Sequence, residues 1–165
     1  MKEMEHEPDW LRERPISGRY EPWKHLIRCM RGYQARQHSL YAFYKPLLVL
    51  AHRFWSMVCA CDIPINARIG GGILLTHPNG IVIHPNATVG ENCLIFQQVT
   101  IGTGSKPGVP KIGAGVEIGA GAKILGGVRI GRGARVGANA VVVDDIPAGA
   151  TAVGIPARVI RGVRL

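Results

Sequence analysis

Ile112-Gly-Ala-Gly-Val-Glu-Ile118-Gly-Ala-Gly-Ala-Lys-Ile124-Leu-Gly-Gly-Val-Arg-Ile130-Gly-Arg-Gly-Ala-Arg-Val136 carries an aliphatic residue at every sixth position. The series extends in both directions: Ile63, Ile69 and Leu75, then Ile83, Val89, Ile95 and Ile101, and after the quoted stretch Val142. Most of these residues are preceded, two positions earlier, by another apolar group such as Ala67, Ile73, Ile81, Cys93, Val99, Val116, Ala122 or Ala134. Neither a helix of period 3.6 nor a hairpin sheet of period 2 repeats at six. A fixed hexapeptide period predicts a parallel β-helix, in which three short strands make one triangular turn and successive turns stack. The aliphatic residue points inward on each face, and glycine turns many of the corners.

The composition changes abruptly near residue 62. Nine of the ten aromatic residues lie before that point, and twenty of the twenty-two glycines lie at or beyond Gly70. The chain therefore divides into an N-terminal arm over 1–61, a repeat domain over 62–147 and a tail over 148–165. In the arm, residues 1 to 22 carry three prolines and many charges and are expected to be irregular or loosely attached. Helices are expected over Trp23–Gln37 and Ser39–Cys59, the second more apolar and packed on the solenoid or on a neighbouring subunit. The helices would cap the first coil, and the proline-containing segment after Val142 would leave the repeat and close the last one.

Charge and cysteines narrow the function classes. The formal net charge is +9 and the isoelectric point about 9.9. Such a surface attracts phosphorylated cofactors and other polyanions, but no nucleic-acid-binding motif is present and a hexapeptide solenoid offers no groove-reading helix. Cys29, Cys59, Cys61 and Cys93 lack zinc-type spacing. Cys93 falls on an inward position and reads as a small core residue. The opening residues are acidic rather than basic and then apolar, so no signal peptide is read there, and a cytoplasmic protein is expected. The apolar stretch from Leu40 to Ala60 is interrupted by Lys45, Pro46, His52 and Arg53, which argues against a spanning helix. Peripheral membrane contact through the arm is the minority reading.

The period breaks twice. Between Leu75 and Ile83 two extra residues appear around His77-Pro78-Asn79-Gly80, and between Ile101 and Ile112 five extra residues appear within Thr103 to Pro110. Insertions in a stacked solenoid bulge outward and build binding surfaces. His77 is therefore the first candidate for chemistry.

The segments Asp62-Ile-Pro-Ile-Asn-Ala-Arg-Ile-Gly70, Thr76-His-Pro-Asn-Gly-Ile-Val82, Gln98-Val-Thr-Ile-Gly102, Ile118-Gly-Ala-Gly-Ala-Lys-Ile-Leu-Gly126 and Val153-Gly-Ile-Pro-Ala-Arg-Val159 resemble the hexapeptide-repeat acyltransferases, within them the serine acetyltransferase-like group. The resemblance covers roughly the last 100 residues. It implies a mainly β fold, a left-handed parallel β-helix with a short helical arm, assembled as a homotrimer. It also implies direct transfer of acetyl from acetyl-CoA to an acceptor hydroxyl, with no metal. His77 would be the general base, since imidazole titrates near the working pH and an alcohol must lose its proton as it attacks. Asp62 would orient and stabilise the imidazolium, and backbone N–H groups near Gly102 would hold the developing oxyanion. The cofactor would lie between adjacent solenoids against Gly102, Thr103, Ala120 and Gly121, its phosphates held by Lys123 and by Arg158 or Arg161. His84 follows inward Ile83 and should face outward.

Two departures bear on the acceptor. Thr76 stands where the group usually carries an acidic residue, and Gly108-Val109 stands where it carries an Arg-His pair. Those groups hold an amino acid's ammonium and carboxylate, and losing charge partners costs affinity. A saccharide or polysaccharide precursor is accordingly slightly favoured over L-serine. A γ-type carbonic anhydrase would need three zinc-binding histidines, and the repeat region offers only His77 and His84. A non-catalytic scaffold is the alternative.

Overall fold

A computed structural model describes residues 7–35 and 43–160. Among the described residues, fourteen short strands form three sheets wound as a coil. The first face stacks β1 (Arg68–Ile69), β4 (Thr88–Val89), β7 (Lys111–Ile112) and β10 (Arg129–Ile130). The second stacks β2 (Leu74–Leu75), β5 (Leu94–Ile95), β8 (Glu117–Ile118), β11 (Arg135–Val136), β13 (Thr151–Val153) and β14 (Arg158–Ile160). The third stacks β3 (Val82–Ile83), β6 (Thr100–Gly102), β9 (Lys123–Leu125) and β12 (Val141–Val142). All pairings are parallel except that of β14 with β13. The fold is the left-handed parallel β-helix of hexapeptide repeats.

Every aliphatic residue of the hexad series is buried, and from Ile69 onward so are the apolar residues two positions before each. Leu75, Ile95, Ile101, Ile118 and Ile124 are fully enclosed, each in register with an aliphatic residue one coil away. Stacking identical shapes at about 4.8 Å fills the narrow interior without gaps. Cys93 is one of these inward residues, and its thiol donates to the Gly113 carbonyl at 3.2 Å.

Among the described residues, the arm has two α-helices, α1 (Pro22–Ala35) and α2 (Lys45–Cys59). Residues 39–42 of the second helix expected from sequence, together with Gln37, lie outside the described residues. The division of labour between the helices differs from the expectation. Helix α1, the more polar one, packs Trp23, Leu26, Ile27 and Met30 into the core. It also covers the open edge of the first coil: Arg31 donates to the Ile69 and Gly70 carbonyls, and Gln34 to those of Ile65 and Ala67. Helix α2 leans on α1 and leaves Leu47, Leu50, Phe54 and Met57 exposed. Long polar side chains reach edge carbonyls that aliphatic ones cannot satisfy, which is why the polar helix takes the capping position.

The N-terminal stretch is also more tightly held than its charges indicated. Glu13 forms an ion pair with Arg31 at 2.9 Å and accepts from the Ile73 N–H. The Asp9 N–H donates to Asn92 Oδ1 at 2.8 Å, and Arg12 donates to the Asn92 carbonyl at 2.7 Å. Charges that read as solvent-seeking are used to tie residues 9–13 across the first two coils.

The C-terminal end departs from the expectation in a similar way. After Val142 the next inward residues are Ile146 and Ala152, both buried, so the spacing contracts to four residues and then returns to six. Ile146 bridges Ile130, and Asp145 Oδ1 accepts from the Arg129 N–H at 2.9 Å. The repeat thus continues onto β13, and antiparallel β14 covers the last edge.

Candidate active site

The third face gathers most of the residues singled out by sequence. Its outward column runs Asp62, Val82, Thr100, Lys123, Val141, each in register with the next. The two insertions emerge at opposite edges of this face.

At the edge leading in from the second face, each coil turns through a left-handed residue: Gly80 (φ 70), Gln98 (φ 58), Gly121 (φ 73) and Asn139 (φ 56). The Gln98 N–H donates to Asn79 O, Gly121 N–H to Gln97 O, and Asn139 N–H to Ala120 O. Only the first of these coils carries the two extra residues, so His77 protrudes above a column that includes Ala120 and Gly121. His77 is itself left-handed, at φ 52, and exposed. A non-glycine residue in that region is uncommon and costs free energy that surrounding structure must supply.

Asp62 begins the same face. Its N–H donates to Ile81 O at 2.8 Å and its carbonyl accepts from the Ile83 N–H at 2.9 Å. These bonds hold the Asp62 backbone against the strand that follows the His77 loop. The two side chains make no hydrogen bond to each other in this conformation, and both are exposed. Asp62 also lines a mainly apolar groove of about 920 Å³ with Leu50, Phe54 and Met57 of α2, which His77 does not line.

At the opposite edge, Gly102 accepts from the Gly126 N–H at 2.9 Å, and the Thr103–Val109 loop folds back so that Lys106 O accepts from Gly127 at 3.2 Å. His84 occupies this edge one coil earlier; its Nδ1 accepts from the Asn86 N–H at 3.2 Å. Lys123 extends across the face, and its ammonium donates to the Gln98 carbonyl at 2.6 Å. Arg158 is more remote: it lies on β14 beside the 154–157 turn that borders β12, with Asp144 at 3.4 Å. Arg161 lies outside the described residues.

Sequence reasoning passed over two residues of this surface. Thr100 stands between Val82 and Lys123 in the outward column, and Gln97, under the His77 loop, has a buried Oε1 without a hydrogen-bond partner. Thr100 was accessible to arithmetic, because outward positions immediately precede inward ones. Gln97 had no such signal.

Comparison with known proteins fits this geometry. A family profile described as "Bacterial transferase hexapeptide (six repeats)" matches residues 110–144. A serine acetyltransferase of Staphylococcus aureus is 36% identical over 158 residues, covering 90% of this chain and 68% of that protein. Among solved structures, a serine acetyltransferase in complex with CoA superposes with a TM-score of 0.72 at 36% identity, over 86% of this chain and 58% of that one. Soybean serine acetyltransferase complexed with serine gives a TM-score of 0.72 at 42% identity, over 84% and 57%. The fold and these relatives thus place the chain among the hexapeptide-repeat acyltransferases. Within that class, the chain belongs to the serine acetyltransferase group. The chain spans 34% to 62% of the length of several curated plant and bacterial relatives.

Proposed function

We propose that this protein transfers an acetyl group from acetyl-CoA directly to an acceptor hydroxyl, with His77 as general base and L-serine as the favoured acceptor. The observation that carries the reading is the His77 insertion, held in a left-handed conformation on the face begun by Asp62, in a chain of this family. Imidazole accepts the hydroxyl proton as the acceptor oxygen attacks the thioester carbonyl. The C–S bond then breaks, and the same proton passes to the departing CoA thiolate. Asp62 is the orienting carboxylate, and a closing movement of the exposed loop would bring it to His77. Gly102, Thr103, Ala120 and Gly121 form the cofactor path along the third face, Lys123 and Arg158 supply positive charge, and the functional unit is a homotrimer.

The preference for a saccharide, drawn from Thr76 and Gly108-Val109, yields to serine because the relatives are named serine acetyltransferases across plants and bacteria. The missing charge partners then imply weak binding of the amino acid rather than a different acceptor class. The test is thiol release from acetyl-CoA with L-serine, simple sugars and nucleotide sugars in parallel. Turnover with serine alone, abolished by His77→Ala, supports the reading. Turnover only with a sugar would reverse the acceptor assignment. No turnover and no CoA binding by calorimetry would favour a scaffold.

A further inference from the structure

The Cys59-Ala60-Cys61-Asp62 segment joins α2 to the first coil and brings together two thiols that acetyl transfer does not use. Ala60 is left-handed, at φ 48 and ψ 45. A helical residue of either hand folds two 3.8 Å virtual bonds so that the flanking Cα atoms stand about 5.5 Å apart. That separation is the commonest in disulfides. Both thiols are free. Cys59 is 4% exposed, whereas Cys61 is half-buried, so a small reagent reaches the pair through Cys61.

The same three residues support the site. The Ala60 carbonyl accepts from the Gly80 N–H at 2.7 Å, which fixes the end of the His77 loop. Asp62 follows Cys61 directly, and its N–H holds Ile81 O at 2.8 Å. A change in the Ala60 backbone therefore reaches the His77 loop through one hydrogen bond and Asp62 along the chain.

We propose that Cys59 and Cys61 form a reversible disulfide, closed by exchange with a low-molecular-weight disulfide, that draws the Ala60 carbonyl away from Gly80 and lowers turnover. The effect on turnover rests on the acetyl-transfer reading; the disulfide and its effect on Gly80 do not. The Cys61 thiolate attacks one sulfur of the reagent, giving a mixed disulfide and one thiol. The Cys59 thiolate then attacks the Cys61 sulfur, closing the ring and releasing the second thiol. Two electrons pass from the cysteines to the reagent, and the two cysteine protons leave on the two thiols. A ring spanning one residue is tight, and strained disulfides are the readily reduced, regulatory ones. The hydrogen bond with Cys59, and then burial, push the Cys61 thiol up, so exchange quickens as pH rises.

The full chain is equilibrated in mixtures of reduced and oxidised glutathione at mildly alkaline pH, alkylated and digested with trypsin. Cleavage after Arg53 and Arg68 releases one peptide that holds Cys59 and Cys61 and neither of the other cysteines. It is expected to lose two hydrogens and both alkylation sites in the oxidised mixtures, and to regain them in the reduced ones. Alkylation at both cysteines throughout, or only glutathione adducts, would overturn the disulfide. Hydrogen exchange at the Gly80 amide reads the coupling without cofactor or acceptor: about tenfold faster exchange in the oxidised chain supports it, and an unchanged rate refutes it. Turnover should fall several-fold on oxidation of the wild type and not at all in Cys61→Ser. If reduced protein transfers no acetyl, the reading of the site fails, while the peptide and exchange results still judge the dithiol.

Discussion

His77 combines an exposed imidazole with a backbone angle, φ 52, that is uncommon outside glycine. Alanine at this position keeps the loop and removes the base. We expect His77→Ala to lower kcat by about 10²–10⁴-fold while CoA affinity stays within a factor of two or so. Asp62→Asn preserves the backbone bonds to Ile81 and Ile83 and should lower kcat with little change in thermal midpoint. Equal activity of wild type and Asp62→Asn across the pH range would remove Asp62 from the mechanism. A different residue controls stability at high pH. Burial pushes the Cys93 thiol up to about 11. Below the thiol's ordinary range both folded and unfolded chains hold the proton, and Cys93 contributes no slope. Between about pH 9 and 11 the unfolded chain loses it first, so stability falls by about 2 kcal/mol across that window. Denaturant titrations at both ends should show this loss in the wild type and a smaller one in Cys93→Ala.

Among the elements, the Thr103–Val109 loop illustrates how an insertion is positioned by a neighbouring coil rather than by its own residues. It lies on Gly126 and Gly127, and a Cβ on Gly127 would collide with the Pro107 carbonyl oxygen. Gly127→Ala must therefore displace the loop. The expected result is a several-fold rise in the KM for acetyl-CoA with a thermal midpoint close to wild type. A KM unchanged despite the substitution would place the cofactor elsewhere. The helices show the complementary case: amphipathic pattern located them, but which one capped the coil depended on edge carbonyls that only Arg31 and Gln34 could reach.

At the scale of the whole molecule, α2 presents Leu47, Leu50, Phe54 and Met57 outward, with Met57 73% exposed. An apolar stripe of this kind on one protomer fits burial in an assembly. Among the described residues, no helix is long and apolar enough to cross a membrane. Sedimentation velocity should give about three times the 17.8 kDa chain mass. Replacing Leu50 and Phe54 together by glutamate should lower it without loss of the β-helix circular-dichroism signal. A double variant that sediments like the wild type would exclude this face from the interface.

The amino-acid sequence by itself determined the coil, because a period of six has one solution in which every third strand stacks on an identical one. It also located His77 and the 103–109 insertion, since a break in an otherwise strict period is visible without coordinates. Only the tertiary structure decided what those insertions face. Asp62, Thr100 and Lys123 are separated by 38 and then 23 residues along the chain, yet share one column through strand register. It likewise decided that Glu13, Arg31 and Asn92 clamp the arm, and that the repeat shortens to reach Ile146. Local patterning encodes which side of a strand is buried; which distant residues become neighbours depends on how whole coils stack, and no single segment carries that information.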